Sequence, residues 1–362
     1  MHIEYQHGGD IYSQNIEMDY SANINPLGLP DGVRRELERC IREDVCCLYP
    51  DSRCSELRAA LSLHHKVSPD WIVCGNGAAD LIFGLAALCR PKRGLVLAPT
   101  FSEYGQALEA AGCEVNFFEL EEERCFLPDV LRLEQTIEQA GASGSPYGMV
   151  FLCNPNNPTG IPLKGQEVCR IAAACKRAGT ILVVDECFCD FLEREEEYSV
   201  ISREEEYDNL FVLKAFTKLY AMAGLRLGYG ICKREELLEQ LCRNRQPWSV
   251  SGLAQRAGTA ALGQREYVRQ TKELIAKERR WLAGELKRLG FQVYPSQANY
   301  LLFKDMTAPG GWLYDALLSR GILIRSCSNY RGLNDSYYRI CVKTRPQNEA
   351  FIAYLTDTLA RR

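Results

Sequence analysis

The sequence has no long apolar run. No stretch reaches the roughly 18 residues that a membrane-spanning helix needs, so such a helix is excluded. The apolar segments at 94–99 and 180–184 are short enough to read as core strands. Basic excess is also missing: 43 Lys and Arg stand against 47 Asp and Glu, for a net charge of −4. Nucleic acid is therefore not an expected partner. Histidine is scarce, with four scattered residues, and no two cysteines are three positions apart. The pairs Cys46/Cys47 and Cys187/Cys189 lack ligand spacing, so no zinc or iron–sulfur site is expected. Low-complexity tracts and clear internal repeats are absent. Met1 to His7 has no basic stretch followed by an apolar one, so no secretory signal is read there and a cytoplasmic location is expected.

What is abundant is cysteine, with 17 residues among 362. The number is odd, and several lie in apolar surroundings (Cys89, Cys153, Cys175, Cys341). They read as reduced thiols that behave as small hydrophobes. A hydrophobic content of 46% is ample for a large core and more than one domain.

Residues 1–30, with His7–Gly8–Gly9 and Asn23–Ile24–Asn25–Pro26, are rich in turn formers and read as an arm that joins a small domain. Across about 70–250, predicted strands alternate with predicted helices, which is the pattern of a mostly parallel sheet sandwiched by helices in an α/β fold. That gives a large domain over 31–263. From 264 a long polar helix leads into strands at 291–294, 300–303, 322–325 and 338–342, which read as a smaller α+β domain over 264–362.

In an open parallel sheet, ligands collect beyond the carboxyl ends of strands. Gly75, Asn157, Asp185 and Lys218 all fall there. The segment Lys214–Ala–Phe–Thr217–Lys218–Leu–Tyr–Ala–Met–Ala–Gly224–Leu–Arg226 sets a lysine just past a buried strand with an arginine downstream. A desolvated lysine is nucleophilic toward a carbonyl and an arginine holds a phosphate, which together point to pyridoxal phosphate (PLP). Asp185 closes an apolar strand, where its carboxylate suits a pyridine nitrogen. It equally suits a loop cap. Gly75–Asn76–Gly77–Ala78 opens a helix whose N–H groups suit a phosphate. Asn154–Pro–Asn–Asn157–Pro–Thr–Gly160 is a dense turn that offers Asn157. Arg339 lies in a strand, where a cation is costly without an anion.

With these residues in view, the chain resembles the fold-type I PLP enzymes of the class I/II aminotransferase superfamily, over nearly its whole length. The resemblance implies a Schiff-base lysine at Lys218, a pyridinium partner at Asp185 and a contact to the cofactor's 3′ oxygen from Asn157. It implies a phosphate site from Asn76, Gly77, Ala78, Thr217 and Arg226, and Tyr104 stacked on the cofactor ring. Arg339 would take the substrate carboxylate. Tyr49 would reach the neighbouring site of a homodimer.

Two branches fit. His7–Gly–Gly9, Ser21–Ala–Asn23–Ile–Asn25–Pro–Leu–Gly28, Phe188 and Ile324–Arg325–Ser–Cys–Ser–Asn–Tyr–Arg–Gly332 look more like the L-threonine-O-3-phosphate decarboxylases of cobalamin biosynthesis. Histidinol-phosphate aminotransferases come next. Departures at Asp10, Ala78 and Ala79 leave room for a different substrate. The expected reaction is loss of CO2 from threonine phosphate to give (R)-1-amino-2-propanol O-phosphate. The alternatives are transamination of histidinol phosphate or a related amino phosphate, and decarboxylation of O-phosphoserine. His7, Asn25, Asn157, Arg325 and Arg331 join Arg339 as expected substrate contacts.

Overall fold

The computed structural model describes residues 7–12, 15–203, 205–307 and 310–361. A short strand, β1 (Met18–Asp19), precedes a central seven-stranded sheet. In chain order its strands are β2 (Ile72–Gly75), β3 (Arg93–Ala98), β4 (Glu114–Glu119), β5 (Met149–Cys153), β6 (Ile181–Asp185), β7 (Leu210–Ala215) and β8 (Gly228–Ile231). In space the order is β2-β8-β7-β6-β5-β3-β4. All pairs are parallel except those of β8, which runs antiparallel to both β2 and β7.

The middle strands are apolar on both faces because helices cover both faces. Every residue of β5 and β7 is buried. The antiparallel β8 is not among the strands expected from the sequence, since two of its four residues, Gly228 and Gly230, are poor strand formers. Close approach explains those glycines. A Cβ at Gly228 would lie 2.5 Å from the Ala78 nitrogen, and one at Gly230 would lie 2.4 Å from the Phe211 ring.

The remaining strands are β9 (Gln292–Val293), β10 (Tyr300–Lys304), β11 (Ile322–Leu323), β12 (Arg325–Ser326) and β13 (Tyr337–Cys341). Four of them make an antiparallel sheet in the order β12-β13-β10-β9, packed with the helices Arg265–Arg288 and Arg345–Ala360. Strand β1 pairs in parallel with β11, and the Tyr20 ring stacks on Phe351 at 4.3 Å, which ties the N-terminal segment to these elements. The segment read as one strand at 322–325 is two, β11 and β12. No helix among the described residues is long and apolar enough to cross a membrane.

The topology brings several strand ends together. Gly228 at the start of β8 pairs with Gly75 at the end of β2 and with Ala215 at the end of β7. The helix at Ala78–Cys89, the Lys218 turn and Arg226 therefore converge. Asp185 ends β6 beside them.

Candidate active site

A cavity of about 470 Å³ opens at this convergence. Its lining includes Ala78, Asp185, Thr217, Lys218 and Arg226 from the large sheet's side, Asn157 from the turn after β5, and Arg325 and Arg339 from the antiparallel sheet.

The two lysines of the same segment part company here. Lys214 is buried in a cluster of acids, with Nζ 2.5 Å from Asp190 and 2.9 Å from Glu195. Those contacts tie β7 to the loop that follows β6. Lys218, in the short helix Phe216–Leu219, forms no ion pair among the described residues. Burial, and then the cations Arg339 and Arg226, hold its pKa below the ordinary lysine value. A buried amine that gives up its proton readily is the state a nucleophile or proton carrier needs.

Asp185 is held on both oxygens. Tyr104 donates to Oδ2 at 2.7 Å and the Cys187 backbone N–H donates to Oδ1 at 2.9 Å. This corrects the expectation for Tyr104. Its ring is fully buried and stacks on Phe151 at 5.0 Å, and its hydroxyl orients the carboxylate. Tyr104 sits in the first turn of the helix Glu103–Ala110, which turns it back toward the sheet. Phe101, before that helix, is only partly buried; it and Tyr104 both line the cavity.

The helix Ala78–Cys89 has no side-chain cap at Gly77, so N–H groups of its first turn are left for a ligand. Gly77 has φ +82°, and a Cβ there would fall 2.8 Å from Arg226 Nη2. A cradle without side chains, with a guanidinium beside it, fits a phosphate. Asn76 does not contribute as expected. Its side chain is exposed, and its backbone N–H goes to Asp80 Oδ2 at 2.8 Å. The donor set as a whole fits PLP: a phosphate cradle, a buried amine and an oriented carboxylate.

Arg339 is 5% exposed. It donates from Nη1 to Asn157 Oδ1 and from Nη2 to the Ser21 carbonyl at 2.8 Å, while Nε is buried without an acceptor among the described residues. Tyr330 also donates to Asn157 Oδ1, at 3.4 Å, so what Asn157 has left to offer is its amide hydrogens. Arg325 is 7% exposed and stands directly opposite Arg339 in the β12–β13 register. It donates to Asn329 Oδ1 at 2.7 Å, a neutral acceptor.

Two other expectations are corrected. Arg331 points away from the cavity, with its side chain 59% exposed and paired to Glu119 at 2.6 Å. Asn25 is a structural clamp. Its amide donates to the Leu219 carbonyl and to Thr271 Oγ1, both at 2.7 Å, and its Oδ1 accepts from Leu27 N–H at 3.1 Å. The asparagine of that motif that lines the cavity is Asn23, whose buried Oδ1 has no donor among the described residues. Spacing in the sequence does not separate the two; the packing of Asn25 against Leu219 and Thr271 does. Replacing Asn25 with alanine is therefore expected to cost about 1–3 kcal/mol of stability through unpaired buried groups. Thermal unfolding checks it: a melting point several degrees lower fits the clamp, while an unchanged melting point with a raised KM would return Asn25 to the substrate.

His7 lines the cavity, with Nε2 3.2 Å from Glu103 Oε1. Tyr49 lies outside it, 81% exposed and against Trp248 at 4.6 Å.

Comparison with known proteins agrees with this geometry. The family model "Aminotransferase class I and II" matches residues 15–355. The threonine-phosphate decarboxylase of Salmonella typhimurium is 36% identical, over 98% of this chain and 96% of that protein. The histidinol-phosphate aminotransferase of Symbiobacterium thermophilum is 36% identical, over 94% of this chain and 90% of that one. Among solved structures, the histidinol-phosphate aminotransferase from Clostridium acetobutylicum superposes with a TM-score of 0.87 at 29% identity, covering 95% of this chain and 100% of that one. The chain belongs to the class I and II aminotransferase family, as a fold-type I enzyme that binds pyridoxal 5′-phosphate.

Proposed function

We propose that this enzyme acts at the Cα of a small amino compound bearing a phosphate, in a PLP-dependent reaction. The observation that carries the reading is the pair Arg325 and Arg339. They are buried, directly opposed on neighbouring strands, and without an ion pair among the described residues. Like charges in that register destabilise a sheet. Anions from a ligand remove the cost, and bidentate binding suits both carboxylate and phosphate.

The roles follow from position. Arg339 takes the α-carboxylate, or the single phosphate of a substrate that has no carboxylate. Arg325 and His7 take the second anion. Arg226, Thr217 and the backbone at Gly77 and Ala78 hold the cofactor phosphate. Asp185 pairs with the pyridine nitrogen, and the Asn157 amide donates to the 3′ oxygen. When bound, the cofactor supplies an electron sink for negative charge at Cα. Lys218 Nζ carries the proton to or from Cα. Phe188, whose ring centroid is 5.8 Å from Lys218 Nζ, brings no hydroxyl to that side. Tyr49, exposed in one chain, is assigned to the cavity of a second copy.

Transamination is supported by likeness to the histidinol-phosphate aminotransferases in both sequence and structure. With glutamate as amino donor, its two carboxylates use both arginines. Decarboxylation is a second reading, favoured by the Salmonella likeness across 98% of this chain and by phenylalanine at 188. O-phosphothreonine also uses both arginines, through one carboxylate and one phosphate.

The test is incubation of the PLP-loaded protein with O-phosphothreonine, O-phosphoserine, or histidinol phosphate plus 2-oxoglutarate, with products followed by mass. Transamination yields glutamate and a carbonyl phosphate. Decarboxylation yields CO2 and an aminoalkyl phosphate. Turnover of none of the phosphorylated compounds, with turnover of unphosphorylated amino acids, would sink the reading.

A further inference from the structure

The cavity contains a carboxylate where an anionic substrate is expected. Glu103 starts the helix Glu103–Ala110, its side chain is only 13% exposed, and it lines the cavity together with His7, Arg325 and Lys218. Its Oε1 lies 3.2 Å from His7 Nε2, and its Oε2 accepts from Ser102 Oγ at 3.3 Å. An ionised carboxylate at that point opposes a second anion on Arg325.

We propose that Glu103, paired with His7, sets the specificity of the distal end of the cavity by holding the one proton that lets a doubly charged group settle beside Arg325. The inference rests on the phosphate reading above and deepens it. With the proton present, on either partner, the pair is neutral overall and one member donates. With it lost, the pair is a net negative charge.

The surroundings make that proton exchangeable near neutrality. Burial pushes the Glu103 carboxyl up to about 7, against the opposing pull of Lys218 and Arg325. His7 is held below its ordinary value by burial and by Arg325, Arg339 and Lys218. The Tyr330 phenol also feels Glu103, and burial keeps it protonated.

The sign follows. A dianion beside the pair stabilises its protonated form, so the pair's pKa is higher in the complex than in the free enzyme. Binding near neutral pH therefore takes up a proton. Affinity is full between the second ionisation of the phosphate, at about pH 6, and the free-enzyme pKa, and falls as pH rises through the latter, approaching about tenfold per pH unit. A ligand lacking the phosphate shows neither effect.

Titration calorimetry on the PLP-loaded protein tests this. The ligands are 3-phosphoglycerate and glycerate, which have no amine to react with the cofactor. The range is about pH 6.5 to 8.5, in two buffers of different ionisation enthalpy. The expected result is proton uptake with 3-phosphoglycerate, absent with glycerate. Glu103→Gln abolishes the uptake, makes affinity flat across the alkaline range and tightens binding at its upper end. Glu103→Asp retains the uptake. No uptake in the unsubstituted protein, or equal uptake in Glu103→Gln, overturns the assignment of Glu103 while leaving the phosphate reading intact. If 3-phosphoglycerate binds no more tightly than glycerate, the phosphate reading falls and this inference with it. The visible absorbance of bound cofactor reports whether each variant keeps its site.

Discussion

Lys218→Ala is expected to lower turnover by at least roughly a thousandfold, the scale of a missing nucleophile and proton carrier. The reason is local. Among the described residues, Lys218 is the lysine that lines the cavity, and burial with Arg339 and Arg226 favours its neutral amine. The lysine four positions earlier cannot substitute, because it is fixed between Asp190 and Glu195. Lys218→Arg is expected to fail as badly, since a guanidinium keeps its proton at any working pH. Two measurements separate loss of chemistry from loss of fold. Borohydride treatment of the loaded protein fixes cofactor mass to the native chain and to neither variant, while the melting temperature stays close to native. Wild-type turnover in the alanine variant would remove Lys218 from the chemistry.

Much of this cavity was legible because strand ends are legible. Asp185 directly follows a continuous apolar run and Lys218 stands five residues beyond another, and a run buried on both faces has few other readings. Asn157 was visible for a similar reason, as part of a dense turn after β5.

What failed was the choice between near neighbours. Asn23 and Asn25 are equivalent as residues, and only the packing of the arm against Leu219 and Thr271 makes one a clamp and leaves the other facing the cavity. Phe101 and Tyr104 differ by the helix start at Glu103. Arg325 and Arg331 differ because β12 buries the first, while the second has run on to an exposed loop beside Glu119. The antiparallel β8 was hidden because its glycines answer to the Ala78 turn and to the Phe211 ring, contacts distant in sequence. Glu103 is not legible as a cavity residue, because a glutamate that starts a helix is ordinarily a favourable end charge. Its burial beside Arg325 is a property of the assembled site.

The second large effect expected is at Arg339. Arg339→Gln should lower kcat/KM by about a hundredfold or more, since truncating one partner of a buried charged hydrogen-bonded contact costs roughly 2–5 kcal/mol. Among the described residues Nε is buried without an acceptor, and both Nη atoms are engaged with Asn157 and Ser21, so the guanidinium is fixed before any ligand arrives. A preorganised fork loses little entropy on binding, and lysine does not reproduce its geometry. Arg339→Lys should therefore recover only part of the loss.

Charge and geometry can be told apart through Lys218. Arg339 is the second cause, after burial, of the lowered Lys218 pKa. Removing the charge raises that pKa and shrinks the neutral amine fraction at a given pH, so the acid limb of the pH–rate profile moves to higher pH in Arg339→Gln. In Arg339→Lys the charge stays and the limb stays near its original position, although KM is raised. If both variants shift the limb equally, Arg339 acts on Lys218 through packing instead. If neither variant raises KM, the carboxylate contact belongs to another residue, with Arg325 across the strand as the next to replace.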